Sequence, residues 1–463
     1  MNPTSFERRS EIPVSARELQ EWHLRPGAFS RLNPPWEEAS VVESPGALTD
    51  GAVAVIDVGP KPFSIRWIAE HELIENGFID SQTKGPFSFW VHRHLFQPKD
   101  DSASELIDSI RYRLPLGWLG EIGGGKLVEK KLDRMFRYRH EITRCDLVRA
   151  KENPAPRSLS ILVTGSTGLI GSALCGFLET QGHRVLRVTR SPRSAEEIRW
   201  NPQDGTIDLP KDVEIDAVIH LAGSNVADGR WSEEKKREIL ESRVLGTQLL
   251  AKTMAERDQP PSVFVSASGS GFYPLDGEEH DESSDQGYHF LAQVCSAWED
   301  GTAVAEAAGI RVVLARIGVV LTPAGGALQK MLPIFRSGLG GVVGKGDRMM
   351  SWISFDDVLD ILHRATWETE WKGPLNLTAP KPVSHHEFFH TLAQVLRRPC
   401  LVPSPEFAIR ALFGEMADET LLADLAVIPD KLTKSGYTFR YPDLTGALCH
   451  LLGKDPLPKR GSL

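Results

Sequence analysis

Cysteine is scarce in this 463-residue chain, and the five present (Cys145, Cys175, Cys295, Cys400, Cys449) are odd in number and widely scattered. Their spacing offers neither a disulfide framework nor a CxxC metal site, so reduced and mostly buried thiols are expected. Long apolar runs are also absent: nothing reaches the roughly 18 residues that a membrane span needs. The opening MNPTSFERRSEIPVS has no apolar core of the signal-peptide kind, which points to the cytoplasm. An excess of basic charge is missing too. With 53 Lys and Arg against 62 Asp and Glu, the formal net charge is -9, the opposite of the concentrated basic face that nucleic acid requires. No metal cluster is read: His385, His386, Glu387 and His390 spell HHEFFH rather than the HExxH order. A polar helix face is expected there.

What the chain does have is the composition of a folded protein, 41% hydrophobic and 25% charged, with a length that suggests two or three domains. Its most specific stretch is SILVTGSTGLIGSALCGFLETQGHRVLRVTRSP, from Ser160 to Pro192. Ile161-Leu162-Val163 reads as a strand buried on both faces. Gly165, Gly168 and Gly171 follow at GxxGxxG spacing, then an apolar helical pattern through Leu178, with Gly182 as its stop. A second strand covers Arg184 to Thr189. Strand, glycine turn, helix and strand together make a dinucleotide site. Gly165 permits the tight turn, Gly168 lets the backbone approach a pyrophosphate, and Gly171 lets helix and strand pack closely. The backbone N–H groups of Thr167, Leu169 and Ile170 then open a helix whose N-terminus favours phosphate. Where NAD binders usually carry an acid at the end of the second strand, this chain has Arg190. A guanidinium grips a 2′-phosphate that a carboxylate would repel, which favours NADP over NAD.

Further buried strands are expected at 216–222, 262–266 and 311–317, separated by helical patterns such as Glu233 to Met254. The alternation implies an α/β doubly wound parallel sheet of the Rossmann type, with ligands at the carboxyl ends of its strands. The motifs TGSTGLIG (164–171), HLAG (220–223), SRVLGT (242–247) and VSASGSGFY (265–273) resemble those of the extended or atypical short-chain dehydrogenase/reductases. ARIGVVL (315–321), GGALQKMLPIF (325–335), GGVVGKGDRMMSWISFDDV (340–358) and GPLNLTAPKPV (373–383) narrow the likeness to the nucleoside-diphosphate-sugar epimerase-like subgroup of the NAD-dependent epimerase/dehydratase family. The resemblance covers about 159–455. It implies a cofactor domain within 159–463, with a small C-terminal substrate lobe from about 320, and adds Leu221, Ala222, Gly223 and Arg243 to the cofactor surroundings.

In that superfamily a Tyr-x-x-x-Lys pair on a helix works with a serine on the preceding strand. The lysine lowers the tyrosine pKa so that a proton can move as hydride does. Ser268 stands in the serine's place, but Leu291 and Cys295 fall where tyrosine and lysine should be. Tyr273, five residues after Ser268, is the candidate substitute acid/base, expected to project over the nicotinamide face; the alternative is a packed loop aromatic whose hydroxyl finds a partner. Tyr288, His289 and Cys295 lie nearer the missing pair. Arg243 replaces the asparagine that usually begins the N-V-x-G-T motif, bringing a fixed positive charge. In the lobe, Gly340, Gly341, Gly344 and Gly346 are expected to form a flexible loop, and Asp356-Asp357 to cap and orient a helix.

Residues 1–150 have a different grammar. A strand, a short helix with Leu19 and Trp22, period-two runs at 52–58, 63–68, 70–74, 78–81, 87–96 and 105–112, and a helix from about Gly124 to Cys145 argue an α+β domain. The pattern resembles the START-like (SRPBCC) helix-grip fold, whose members cup an apolar ligand between sheet and helix. Trp36, Phe63, Trp67, Phe87, Phe89, Trp90, Phe96 and Trp118 can line such a cavity or equally fill a core. His71, His92 and His94, on alternating strands, can meet a polar ligand, but surface histidines are the favoured reading. KENPAPRS (151–158) is the linker. The whole suggests an NADP-dependent oxidoreductase or epimerase acting on a small carbonyl or hydroxyl substrate. A non-catalytic NADP sensor or a ligand-carrier fusion is the alternative, and a homodimer is a family-level expectation.

Overall fold

The computed structural model describes residues 2–43, 46–60, 62–115 and 118–457. It divides into two compact units, Met1–Pro156 with Gly176–His183, and Arg157–Cys175 with Arg184–Leu463.

The first unit is built on an antiparallel sheet of β1 (Thr4–Ile12), β2 (Ala39–Glu43), β3 (Val53–Val58), β4 (Ile65–Ile74), β5 (Gly77–Lys84), β6 (Phe89–Pro98) and β7 (Ser104–Arg113), in the order β1-β7-β6-β5-β4-β3-β2. Helices α1 (Ala16–Leu24) and α2 (Ala28–Leu32) lie between β1 and β2 in the chain, and α3 (Trp118–Glu152) follows β7. Ser15 starts α1 with a reciprocal cap: its hydroxyl accepts from the Glu18 amide, and the Glu18 carboxylate accepts from its own amide. Leu132 and Phe136 of α3 pack with Trp90, Ile110, Tyr112 and Leu114 of the β6–β7 region. Ile12, Leu19, Trp22, Phe78 and Phe96 form a second cluster.

Several details differ from the pattern in the sequence. The runs at 63–68 and 70–74 are one strand, β4, and Phe63 lies outside it, 82% exposed. β2 carries too short an alternation to stand out. The last helix extends seven residues beyond Cys145, into the stretch 151–158 expected as linker. His71, His92 and His94, expected at the surface, are buried. The side chain of Trp118 lies outside those described.

The second unit holds β8 (Ser160–Thr164), β9 (Arg184–Thr189), β10 (Ile198–Asn201), β11 (Thr206–Ile207), β12 (Ala217–His220), β13 (Val263–Gly269), β15 (Arg311–Ile317) and β19 (Gly373–Leu377) in one sheet of order β11-β10-β9-β8-β12-β13-β15-β19. Only β11 runs antiparallel to its neighbour. The order reverses direction between β8 and β12, the switch point where such sheets open a crevice at their carboxyl ends. Helices α4 (Leu169–Thr180), α5 (Glu233–Ala255), α6 (Phe290–Asp300) and α7 (Ala303–Ala307) join these strands. Leu162, Val218, Phe264, Leu250 and Met254 pack into one core cluster, as strands buried on both faces require.

The lobe adds three short strand pairs: β14 (Glu279–His280) with β21 (Ala426–Val427), β16 (Val319–Leu321) with β18 (Trp352–Ser354), and β17 (Met349–Met350) with β20 (Val383–Ser384). Helices α8 (Gly326–Arg336), α9 (Phe355–Arg364) and α10 (His385–Leu396) complete its frame. Ser354, rather than the acids after it, caps α9 by accepting from the Asp357 amide. Buried Asp357 instead accepts from the amides of Arg440 and Tyr441, and Asp356 pairs with His450, so both acids clamp the tail. The glycine stretch at 340–346 is held closely: a methyl group on Gly341 would stand 1.7 Å from the Val402 carbonyl oxygen. In α10, His385 is buried and only His386, Glu387 and His390 form the expected polar face. Among the described residues no helix is long and apolar enough to cross a membrane.

Two outcomes follow from this packing. Gly77 faces the backbone of β6, where an added Cβ would sit 2.0 Å from the His94 carbonyl oxygen. Gly77→Ala should therefore destabilise the protein by roughly 1–3 kcal/mol in urea unfolding. Buried His220 bridges Thr164 and Thr247, and burial, aided by the charge of Arg243, lowers its pKa to about 3. The unfolded chain binds that proton more readily, so stability is present above the ordinary histidine pKa and lost as pH falls from about 6.5 toward 3. The slope in that window should be shallower for His220→Gln, compared by denaturant titration at successive pH values.

Candidate active site

The glycine turn is where β8 meets α4. Gly165 has φ +66°, a left-handed conformation that favours glycine, and a Cβ there would come within 2.8 Å of the Leu221 carbonyl carbon. A Cβ on Gly171 would sit 2.2 Å from the Gly165 carbonyl oxygen, so helix and turn touch only because both side chains are missing. A Cβ added to Gly168 would meet the Gly165 carbonyl oxygen at 3.2 Å and, its chain neighbours aside, no other atom of the described residues within 4 Å. This leaves an open cradle above the first turn of α4 for a group approaching its amides. Thr167, Gly168 and Leu169 are exposed on that rim and Ile170 is half-buried. Leu221, Ala222 and the exposed Gly223 follow the end of β12, which pairs directly with β8. Arg190 is exposed immediately after β9, the strand on the other side of β8. The residues expected to hold a dinucleotide thus emerge at the carboxyl ends of three adjacent parallel strands, and the open cradle fits a diphosphate.

Below the rim sits a polar lock that the sequence did not reveal. Thr247 donates to the Arg243 carbonyl at 2.8 Å, leaving its oxygen to accept from His220 Nε2 at 3.0 Å. His220 Nδ1 then accepts from Thr164 Oγ1 at 2.6 Å, and Thr164 accepts from the Leu221 amide at 3.2 Å. A neutral imidazole therefore joins the three segments that form the turn's floor. HLAG and SRVLGT signal it only as motifs, because the link itself is spatial.

Arg243 sits beside this floor. Its Nη1 donates to the Ile239 carbonyl at 2.9 Å, its guanidinium lies 4.8 Å over the Trp298 ring, and a Cβ on Gly223 would meet its Cζ at 3.2 Å. Among the described residues no carboxylate pairs with it.

Ser268 ends β13 and is buried, its hydroxyl donating to Glu299 Oε1 at 2.7 Å. Glu299, from α6, takes both sides of the Arg316 guanidinium at 2.8 Å. In the sheet, Ser268 stands opposite Arg316, and Arg316 opposite Asn376. Three neighbouring strands thus present serine, arginine and asparagine in one row. Burial opposes the charge on Arg316, but the hydrogen bonds and charge of Glu299 raise its pKa above the ordinary value.

Tyr273 belongs to this row rather than to an open face. Its ring is fully buried, and its hydroxyl donates to Asn376 Oδ1 at 2.7 Å and accepts from Arg316 Nη1 at 2.9 Å. Burial pushes the phenol up to about 12 despite the neighbouring guanidinium. The expectation that it projects over the nicotinamide face is not matched by this placement. Leu291 and Cys295 occupy α6, whose first amides, of Phe290 and Leu291, are capped by Glu419. Cys295 lies 3.6 Å from the Gly269 carbonyl oxygen, and burial with the Glu299 charge pushes its thiol up to about 11. Tyr288 points into solvent, 94% exposed. Gly325, ahead of α8, brings the lobe against the turn: a Cβ there would stand 2.7 Å from Leu169 Cδ2.

Comparison with known proteins agrees with this geometry. Residues 161–374 match the NAD dependent epimerase/dehydratase family, and 404–451 match a domain of unknown function, DUF1731. The epimerase family protein Mb2239 of Mycobacterium bovis is 41% identical over 290 residues, covering 62% of this chain and 96% of that protein. Human epimerase family protein SDR39U1 is 37% identical over 296 residues, covering 63% and 98%. Among solved structures, the nucleoside-diphosphate sugar epimerase from Corynebacterium glutamicum is similar with a TM-score of 0.80 at 31% identity, over 97% of this chain and 90% of that one. The human SDR39U1 isoform 2 structure with NADPH has a TM-score of 0.59 at 35% identity, over 63% and 99%. Identity of 41% to a relative covered over 96% of its length, with the family match at 161–374, places the chain in the epimerase family of NAD dependent epimerases and dehydratases.

Proposed function

We propose that the chain binds NADP(H) at the carboxyl ends of β8, β9 and β12 and acts on a small carbonyl or hydroxyl substrate as an oxidoreductase or epimerase. The observation that carries the reading is the open cradle over Gly168, flanked by Arg190 and by no acid at the end of β9. Gly165, Thr167, Gly168, Leu169, Ile170 and Gly171 would surround the diphosphate. Leu221, Ala222 and Gly223 would border the nucleotide, with Arg243 beneath them, and Arg190 would grip the 2′-phosphate. The NADPH in the human relative supports that preference. When bound, the cofactor supplies hydride exchange at its nicotinamide.

Ser268 is the group offered to a substrate hydroxyl: its own proton goes to Glu299, so its oxygen acts toward the substrate as an acceptor. Tyr273 is assigned a positioning role, since a phenol raised to about 12 with both hydrogen-bonding directions filled has no proton to exchange near neutral pH. A second reading, a nucleotide sensor that does not turn over, is favoured by one observation: Cys295 and Leu291 supply no proton relay on α6. For the first unit we propose the START-like helix-grip class, based on its seven antiparallel strands and long closing helix. Trp67, Phe87, Trp90 and Tyr112 pack edge to face on one another, which favours a filled core over an apolar-ligand cavity.

Calorimetry should show NADPH binding more tightly than NADH. Arg190→Ala should weaken NADPH by roughly 10–100-fold, the worth of a charge-assisted contact, while leaving NADH nearly unchanged. Absence of heat with either nucleotide, reduced or oxidised, would overturn the reading. In assays of hydride transfer to a panel of carbonyl compounds, Ser268→Ala should abolish turnover without loss of nucleotide affinity. NADPH binding with no transfer to any compound would select the sensor. Glu299→Gln should cost about 3–5 kcal/mol in unfolding experiments, because it leaves the Arg316 charge buried without a counter-charge.

A further inference from the structure

The register of the first sheet gathers chemistry that is dispersed in sequence. His71 of β4 stands opposite Asp80 of β5, Asp80 opposite His92 of β6, and His94 of β6 opposite Asp108 of β7. His92 and His94 are two residues apart, so both rings lie on the same face. Asp108 Oδ1 accepts from His92 Nε2 at 2.7 Å and from His94 Nδ1 at 2.7 Å. Its second oxygen accepts from His140 Nε2 of α3 at 2.7 Å, and His140 is tied in turn to Ser10 of β1. With those ring nitrogens engaged, the remaining one on each histidine turns to a single atom, Asp80 Oδ2: His94 Nε2 at 3.2 Å and His92 Nδ1 at 3.8 Å. His71 Nδ1 holds the other oxygen of Asp80.

We propose that Asp80, His92 and His94 form a mononuclear site for a divalent first-row transition ion of the zinc class, with Asp108 and His71 orienting its ligands. Around an ion with bonds of about 2.0–2.1 Å, neighbouring tetrahedral ligand atoms stand about 3.3 Å apart. The distances to Asp80 Oδ2 bracket that value, and all three ligand atoms lie within 4.8 Å of one another. Two imidazoles and one carboxylate suit zinc, iron(II) or cobalt(II) rather than calcium or magnesium, which prefer oxygen. The outer arrangement fits as well, since metal-bound imidazoles usually give their other N–H to a carboxylate, as both do here to Asp108. Neither Asp80 nor Asp108 forms a direct ion pair with lysine or arginine among the described residues, although the buried Arg139 guanidinium acts on both through its charge. The ion has a way in, because the Asp80 side chain is 21% exposed while both ligand histidines are nearly closed off. Three protein ligands leave a coordination position for water or a small molecule. The HHEFFH segment singled out in the sequence is not part of this constellation.

The test uses the tag-free full-length protein, stripped with chelator and titrated with Zn²⁺ by calorimetry and with Co²⁺ by visible absorption. One equivalent per chain is expected, with the intense absorption of low-coordinate cobalt and a rise in Tm on loading. Asp80→Asn, at the more exposed ligand and with folding checked by circular dichroism, should abolish that binding. Asp108→Asn should weaken it by about 10–100-fold. His386→Gln with His390→Gln, at the exposed histidine pair, should leave it unchanged. The proposal falls if the wild-type chain takes up neither ion. It falls equally if folded Asp80→Asn binds as the wild type does, or if the signal disappears with His386 and His390. Should Asp80→Asn fail to fold, imidazole-nitrogen hyperfine coupling from a Cu²⁺-loaded wild type decides: two histidines support the site and none refutes it.

Discussion

A single ion pair sets the geometry of the candidate active site. Arg316 and Glu299 are both nearly closed to solvent and joined through two hydrogen bonds, so neither can move without leaving a buried charge uncompensated. Ser268 hangs from the carboxylate, and Tyr273 from the guanidinium, which also lies 3.4 Å from the Phe272 ring centroid. Asn376 closes the chain by accepting from Tyr273 and donating to the Ile428 carbonyl, while its amide donates to Glu282. The pair thereby couples α6, the main sheet and the lobe. What looks like a serine row is better described as a rigid electrostatic bracket that fixes one hydroxyl.

That bracket bears on chemistry. In the related dehydrogenases the helix after the serine strand carries the proton-transferring pair, whereas here the same helix contributes Glu299 to structure and leaves Cys295 raised out of the useful range. Arg243 remains as a partly buried cation with no carboxylate partner among the described residues, at the border of the turn. A fixed positive charge stabilises developing negative charge without needing to titrate. As placed, Tyr273, Leu291 and Cys295 offer no proton relay near neutral pH.

The sequence made the second unit legible because its signals are local. Ile161 to Val163, the three glycines and Arg184 to Thr189 lie within one stretch, and a βαβ unit can be read from period and turn chemistry alone. The position of Arg190, just past the end of β9, is legible for the same reason. The bracket was not, since Ser268, Glu299, Arg316 and Asn376 meet only through sheet register and helix docking. Of the two readings of Tyr273, a projecting acid/base or a packed aromatic with a partnered hydroxyl, the placement matches the second: the short helix at Ser270–Phe272 folds the ring inward onto His280. In the first unit, alternation disclosed most strands but not which face was inside. Histidine on an alternating strand looks like a surface residue until the partner strands supply carboxylates.

Charge balance separates the two kinds of buried polar cluster in this protein. Asp146 meets Arg31, Glu299 meets Arg316 and Asp360 meets Arg440, each carboxylate facing a permanent cation. Asp80 and Asp108 are bonded to several histidines each, whereas Asp356 meets a single one, His450, and buried Arg139 adds a fixed charge near both members of the first pair. Replacing a buried charged cluster by hydrophobic side chains of similar volume is often neutral or stabilising, so stability alone is a weak reason for this one. Histidines become the better choice where ring nitrogens must be lone-pair donors of defined direction. Asp108 imposes that direction by occupying one nitrogen of each ring, and β5 and β6 deliver the other two to one carboxylate oxygen. Such an arrangement is costly as packing and economical as coordination, which is why the cluster reads as a ligand set.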